Sequence, residues 1–147
     1  MNTKLVAALA AAALLAIPAA VGAGNLVTVT LTVDGTQAVV NGQAPYTKTC
    51  DLQVPAGADG GVVLTTAVAE GCLDSWQYEE SSFGRFLTCI DGTCGGPLEP
   101  TYTLYTYWSM SLDGEATPYG IDDYKATDGD ALGFTYTTET WLIYLLP

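Results

Sequence analysis

Tyr107-Trp108-Ser109-Met110-Ser111-Leu112-Asp113-Gly114 and Tyr124-Lys125-Ala126-Thr127-Asp128-Gly129-Asp130-Ala131-Leu132-Gly133-Phe134-Thr135-Tyr136 are the two stretches on which the fold turns. In the first, Trp108, Met110 and Leu112 share a parity with Leu104, opposite Tyr105, Tyr107, Ser109 and Ser111. In the second, Leu132, Phe134 and Tyr136 alternate with Ala131, Gly133 and Thr135. A period of two with one apolar set predicts two half-buried strands. Asp113-Gly114 and Asp128-Gly129-Asp130 carry the turn chemistry that ends or begins them, because Gly takes positive φ at little cost and Asp can bond neighbouring amides.

Upstream, Asn25–Val33 alternates as well, with Val27, Val29, Leu31 and Val33 against Thr28, Thr30 and Thr32. Asp34-Gly35 ends that strand, and a second runs over Thr47–Val54 with Cys50, Leu52 and Val54 inward. Pro55 and the glycines from Gly57 to Gly61 break it. Asp59 is placed to cap a helix over Gly60–Glu70, and Gly71 sits where a left-handed C-terminal cap belongs. A third strand, Phe86–Ile90, ends in Asp91-Gly92. The order β-β-α-β-β-β predicts an α+β fold, a mixed sheet with one packed helix.

The first residues read as a cleaved signal peptide. Lys4 precedes an uncharged Ala- and Leu-rich run from Leu5 to Ala20, and small residues follow at Gly22, Ala23 and Gly24. A cut after Ala23 would leave residues 24–147 as a single domain, with its core over 26–136 and an apolar edge segment at 141–147. That length can bury roughly two-thirds of its unfolded surface. The chain is then secreted or extracytoplasmic, with no membrane insertion after cleavage. Sixteen acidic residues against four basic ones, a net charge of −12, repel phosphate backbones and exclude nucleic acid as an expected partner.

Four cysteines in an exported chain predict two disulfides, and the chain has no histidine to join them in a metal site. Four strand residues from Val54 back to Cys50 span about 13 Å. Eleven helix-like residues from Gly61 to Cys72 span about 16 Å. The two sulfurs therefore reach similar heights, which favours Cys50–Cys72 with Cys89–Cys94; the other two connectivities stay open.

Without histidine there is no Ser-His-Asp or Cys-His nucleophile. Glu79-Glu80 and Asp122-Asp123 could supply a carboxylate pair for glycoside hydrolysis, but sequence neighbours in a strand point apart. No catalytic residue is assigned. Asp122, Asp123, Asp128 and Asp130 lie close in sequence, yet their spacing does not match an EF-hand, and they are read as turn residues rather than a metal site. Tyr105 and Tyr107 face away from Trp108 by parity and could build an exposed stacking platform, if loops or the C-terminal run do not cover them.

The order and spacing of these pieces resemble the transcobalamin-like C-terminal domain, the domain of unknown function DUF4430. The resemblance rests on the helix segment Val62-Val63-Leu64-Thr65-Thr66-Ala67 and on Phe83-Gly84-Arg85-Phe86-Leu87-Thr88-Cys89-Ile90-Asp91-Gly92. It continues through Trp108–Glu115 and Tyr124–Tyr136, with Asp113 where the family usually has Asn, and the four cysteines look like an addition. It implies a β-grasp-like fold and an exported, non-catalytic binding or adhesion module of unknown ligand, small molecule or protein. In the family's vertebrate cobalamin carriers this domain covers one face of the corrinoid and a helical barrel the other. A corrinoid-binding domain is therefore one alternative, with Trp108, Tyr119 and Tyr124 as contacts, although no resident cofactor is expected. A structural cell-surface or secreted interaction protein that docks through Trp141–Pro147 is another.

Overall fold

The computed structural model describes residues 24–98 and 104–140. The expected signal peptide and the apolar segment 141–147 lie outside the described residues. Strand β1 (Leu26–Asp34) leads through a short 3-10 helix (Thr36–Asn41) to β2 (Thr47–Pro55), then to helix α1 (Gly60–Ala69). Three strands follow, β3 (Trp76–Ser81), β4 (Gly84–Ile90) and β5 (Thr93–Cys94). The last elements among the described residues are β6 (Gly96–Leu98), β7 (Leu104–Leu112), β8 (Glu115–Ala116) and β9 (Asp130–Thr140).

These strands form two sheets. The larger has the order β2-β1-β9-β7-β6, with β8 also on β7; the smaller is β3-β4-β5. In the large sheet β1 and β9 run parallel, and the other pairs are antiparallel. The mixed α+β character and the one packed helix agree with the sequence reading. The single sheet does not, because Phe86–Ile90 belongs to a separate sheet. Its partner β3, Trp-Gln-Tyr-Glu-Glu-Ser, lies almost wholly exposed, so no apolar alternation marked it as a strand. Pairing with β4 through a tight Ser81–Gly84 turn creates it.

The large sheet is one-sided. Val29, Leu31, Val33, Leu52, Val54, Met110, Leu132, Phe134 and Tyr136 fill its core face. Its other face carries a threonine-rich polar array in which Thr30 Oγ1 donates to Asp51 Oδ1 at 2.7 Å and Gln53 Nε2 to Thr28 Oγ1 at 2.6 Å. Clean alternation in β1 and β9 has this cause: one face meets protein and the other meets water. Helix α1 covers part of the core face with Val63, Leu64 and Ala67. Leu87 and Ile90 of the small sheet and Ile121, Tyr124 and Ala126 of the loop before β9 complete the core.

Local chemistry places the joints. The Asp59 side chain accepts from Val62 N at 2.9 Å, capping α1, and Gly71 takes φ +78° just beyond its end. Asp91-Gly92 and Asp113-Gly114 both have positive φ at both residues, the geometry of two-residue hairpin turns that match strand twist. The four cysteines form two disulfides. Cys50–Cys72 ties the end of α1 to edge strand β2, and Cys89–Cys94 joins β4 to β5.

Candidate functional site

Strand β7 has an interrupted outer edge. β6 pairs with it over Leu104–Thr106 and β8 over Ser111–Leu112, leaving Tyr107–Met110 without a strand partner on that side among the described residues. A cleft of about 720 Å³ opens there. Its floor is Trp108, Met110 and Phe134. One wall is β4 with Phe86 and Leu87, and the other is the segment Ala116–Ile121 with Pro118 and Tyr119. Phe83, at the tip of the β3–β4 hairpin, stands at the rim and is 95% exposed. This volume lies in the range of small-molecule sites, and exposed rings around a concave surface are what such sites use.

Arg85 holds the two walls in place. Its Nε donates to Asp122 Oδ1 at 2.7 Å, its backbone N to Asp122 Oδ2 at 2.7 Å, and its Nη2 to Asp59 Oδ2 at 3.1 Å. The guanidinium lies 5.3 Å from the Tyr78 ring centre and 6.0 Å from that of Trp76. One side chain thus joins the helix cap, the small sheet and the loop wall. Glycines make the room: a Cβ on Gly61 would meet the guanidinium at 2.6 Å, and one on Gly60 would meet Ile121 Cβ at 2.9 Å. Gly60 N also donates to Ile121 O at 2.8 Å, which pins the loop from below. Thr117 N donates to Met110 O at 2.9 Å, and its hydroxyl to Tyr119 O at 3.0 Å.

The Arg85 backbone N–H, followed by its guanidinium, holds the Asp122 carboxyl below its ordinary value. A depressed carboxylate contributes stability above its unfolded pKa, about 3.9, and that contribution disappears as pH falls through the lower folded value. On acidification the Asp122 carboxyl ¹³C shift should therefore move at a pH below the ~3.9 of a free aspartate side chain. Amide signals of Tyr119–Ile121 should follow Asp122. Titration of Asp122 at the free-aspartate value would contradict this anchoring.

The aromatic candidates separate by place. Trp108, Tyr107 and Tyr119 meet in the cleft. Tyr119 is 39% exposed, whereas Trp108 is 7% exposed, rests against Tyr136 at 5.2 Å and donates from Nε1 to Thr93 O at 2.9 Å. Tyr107 is half-buried and donates to Glu139 Oε1 at 2.9 Å; burial, then that carboxylate, raises its phenol pKa. Tyr105 is half-buried beside it in β7, outside the cleft. Tyr124 is 1% exposed and lies outside the cleft lining, its hydroxyl donating to Asp130 Oδ2 at 2.7 Å. In this structure it is a core residue that anchors the loop. Burial, then Asp130, raises its phenol pKa.

Phe83, Arg85, Phe86 and Asp122 had no place in the sequence-level site. They stand in the Phe83–Gly92 segment that carried the family pattern, or in the acidic run, and nothing local brings them to Tyr119. The acidic run itself disperses. Asp122 serves Arg85, Asp128 Oδ1 accepts from Thr28 N at 2.9 Å, and Asp130 Oδ2 accepts from Thr127 N at 2.9 Å. Among the described residues no three His, Cys, Asp or Glu side chains converge as a metal site would require.

Residues 67–138 match the family model described as Domain of unknown function (DUF4430), and that segment contains every residue lining the cleft. No curated protein sequence matches the chain. Among solved structures, haptocorrin in complex with Cbi is similar with a TM-score of 0.61 and 22% identity, over 77% of this chain and 25% of that one. This chain therefore spans about a quarter of the haptocorrin chain's length. A candidate metal-binding protein from Ruminococcus gnavus ATCC 29149 is similar with a TM-score of 0.53 and 20% identity, over 78% of this chain and 98% of that one. At these identities the likeness is one of fold.

Proposed function

Because residues 67–138 belong to the domain family of unknown function DUF4430, we propose that the cleft on β7 is the working surface of an exported, non-catalytic small-molecule binding module. The observation that carries this reading is the exposed aromatic lining, Phe83, Phe86 and Tyr119, around a concavity of about 720 Å³. Monomeric proteins seldom leave such rings in water around a groove without a use. Four of the cleft's polar side chains are already engaged, which favours binding over chemistry at them. Arg85 is held by two carboxylates, the Tyr107 hydroxyl by Glu139, the Ser81 hydroxyl by Gly84 O and the Thr117 hydroxyl by Tyr119 O. Export is supported by the two disulfides, which persist outside the reducing cytosol. Among the described residues no helix is long and apolar enough to cross a membrane. The β-grasp-like classification draws on the parallel β1–β9 pair, flanked by antiparallel strands and crossed by one helix.

A set of soluble ring compounds, screened by amide shifts, tests the reading. Some should move Tyr107–Met110 and Gly120–Ile121, and the double variant Phe86→Ala/Tyr119→Ala should weaken them at least tenfold. Both side chains are exposed, so the variant should fold normally. If no compound moves these signals at millimolar concentration, the cleft is not a small-molecule site.

Corrinoid binding is the second reading. Haptocorrin was solved in complex with Cbi, and this reading rests on the fold likeness between this chain and a quarter of that one. Trp108, in the cleft floor, is a built-in fluorescence reporter. Added corrinoid should quench it in proportion to occupancy, and an unchanged signal at high micromolar ligand would retire the idea.

A further inference from the structure

From the charge of the cleft we infer that its ligand is a ring-bearing organic ammonium ion, which rests on the cleft being the binding site proposed above. Among the described residues that line the cleft, only Arg85 and Asp123 carry charged side chains. Arg85 is already neutralised by Asp122 and Asp59, at 2.7 and 3.1 Å, so it offers no net positive charge to an anion. Asp123 is exposed, and among the described residues its carboxylate takes no hydrogen bond or ion pair, although its backbone N donates to Gly120 O. Glu79 and Glu80 pair in register with Phe86 and Arg85, Glu115 precedes Ala116 in the chain, and Lys125 Nζ donates to Asp122 O at 3.3 Å. The whole chain adds a net charge of −12.

The rings point the same way. Aromatic faces carry negative quadrupoles and attract a cation placed over them, more strongly as the site excludes water. Phe83, Phe86 and Tyr119 supply such faces, with Trp108 beneath. An apolar ring would rest on the floor and its ammonium head would meet the Asp123 carboxylate at the mouth. An anion of the same shape would meet that carboxylate and the negative ring faces, while Arg85 is already paired. A neutral analogue would gain only the apolar contact.

Adamantane-1-ammonium, adamantan-1-ol and adamantane-1-carboxylate share one body and differ in charge, so they separate shape from electrostatics. Titrated into the full chain at low ionic strength and followed by Trp108 indole and Tyr119 signals, the ammonium should bind at least tenfold tighter than the alcohol, with no detectable binding of the carboxylate. Asp123→Asn should remove about fivefold of the ammonium affinity and leave the alcohol unchanged. Salt should weaken only the ammonium. Equal or tighter binding of the alcohol or carboxylate would overturn the charge assignment while leaving the cleft a binding site. Silence from all three would overturn the assignment too, and the wider ring-compound screen would then decide separately whether the cleft binds at all.

Discussion

Replacing Phe134 with alanine is expected to lower the unfolding free energy by about 3–5 kcal/mol, the cost of removing a buried phenyl ring. Phe134 is 1% exposed and lies at the centre of the large sheet, opposite Met110 of β7 and Val33 of β1. Its ring cannot be replaced by relaxation, because two ladders hold its backbone and neighbouring strands are close-packed. A domain of this size should lose roughly 12–20 °C of melting temperature. Against a typical total of ~5–15 kcal/mol, the variant stands near the edge of folding. Phe134 is also part of the cleft floor, so Phe134→Leu serves as the companion. It should cost far less stability while still changing ring-compound affinity. A loss below about 1 kcal/mol for the alanine variant would mean that this floor is not packed as described.

The second large effect is expected from the Cys50–Cys72 disulfide. It closes a separation of 22 residues, from edge strand β2 across α1 to the segment after the helix. Chain entropy assigns such a closure about 3 kcal/mol. Cys89–Cys94 closes only 5 residues, inside the β4–β5 hairpin, and the same relation assigns it about 2 kcal/mol. The double variant Cys50→Ala/Cys72→Ala should therefore show the larger fall in denaturant midpoint of the two paired removals. Its helix end should also exchange amide protons faster, since α1 loses its tie to the sheet. A larger loss from Cys89→Ala/Cys94→Ala would show that the long closure is not the main constraint.

Much of this fold was readable because the signals were local. The Asp113-Gly114 and Asp91-Gly92 turns need positive φ at adjacent positions, and only a few residue types accept it. The Asp59 cap and the Gly71 terminus likewise act within one turn of helix. The parity of β1, β7 and β9 was legible because one sheet face meets water and the other does not. β3 was not, because neither of its faces is buried and its existence depends on β4.

The site divides along the same line. Trp108, Tyr107 and Tyr119 were singled out as aromatics, and they do meet in one cleft. Tyr124 looked equivalent to Tyr119 in the same loop, yet it is buried on Asp130 while Tyr119 stands at the wall. A loop has no fixed period, so nothing in the residue order separates the two. Sequence alone determined the strand faces, the hairpin turns, the helix limits and the acidic, histidine-free chemistry, all set by residue type and nearest neighbours. Tertiary structure alone decided that β4 leaves the large sheet, that Arg85 joins Asp59 to Asp122, and that Phe83, Phe86 and Tyr119 surround one cavity. The last two outcomes depend on contacts between segments some 26 to 37 residues apart, whose partners are selected by packing and charge pairing rather than by any local propensity.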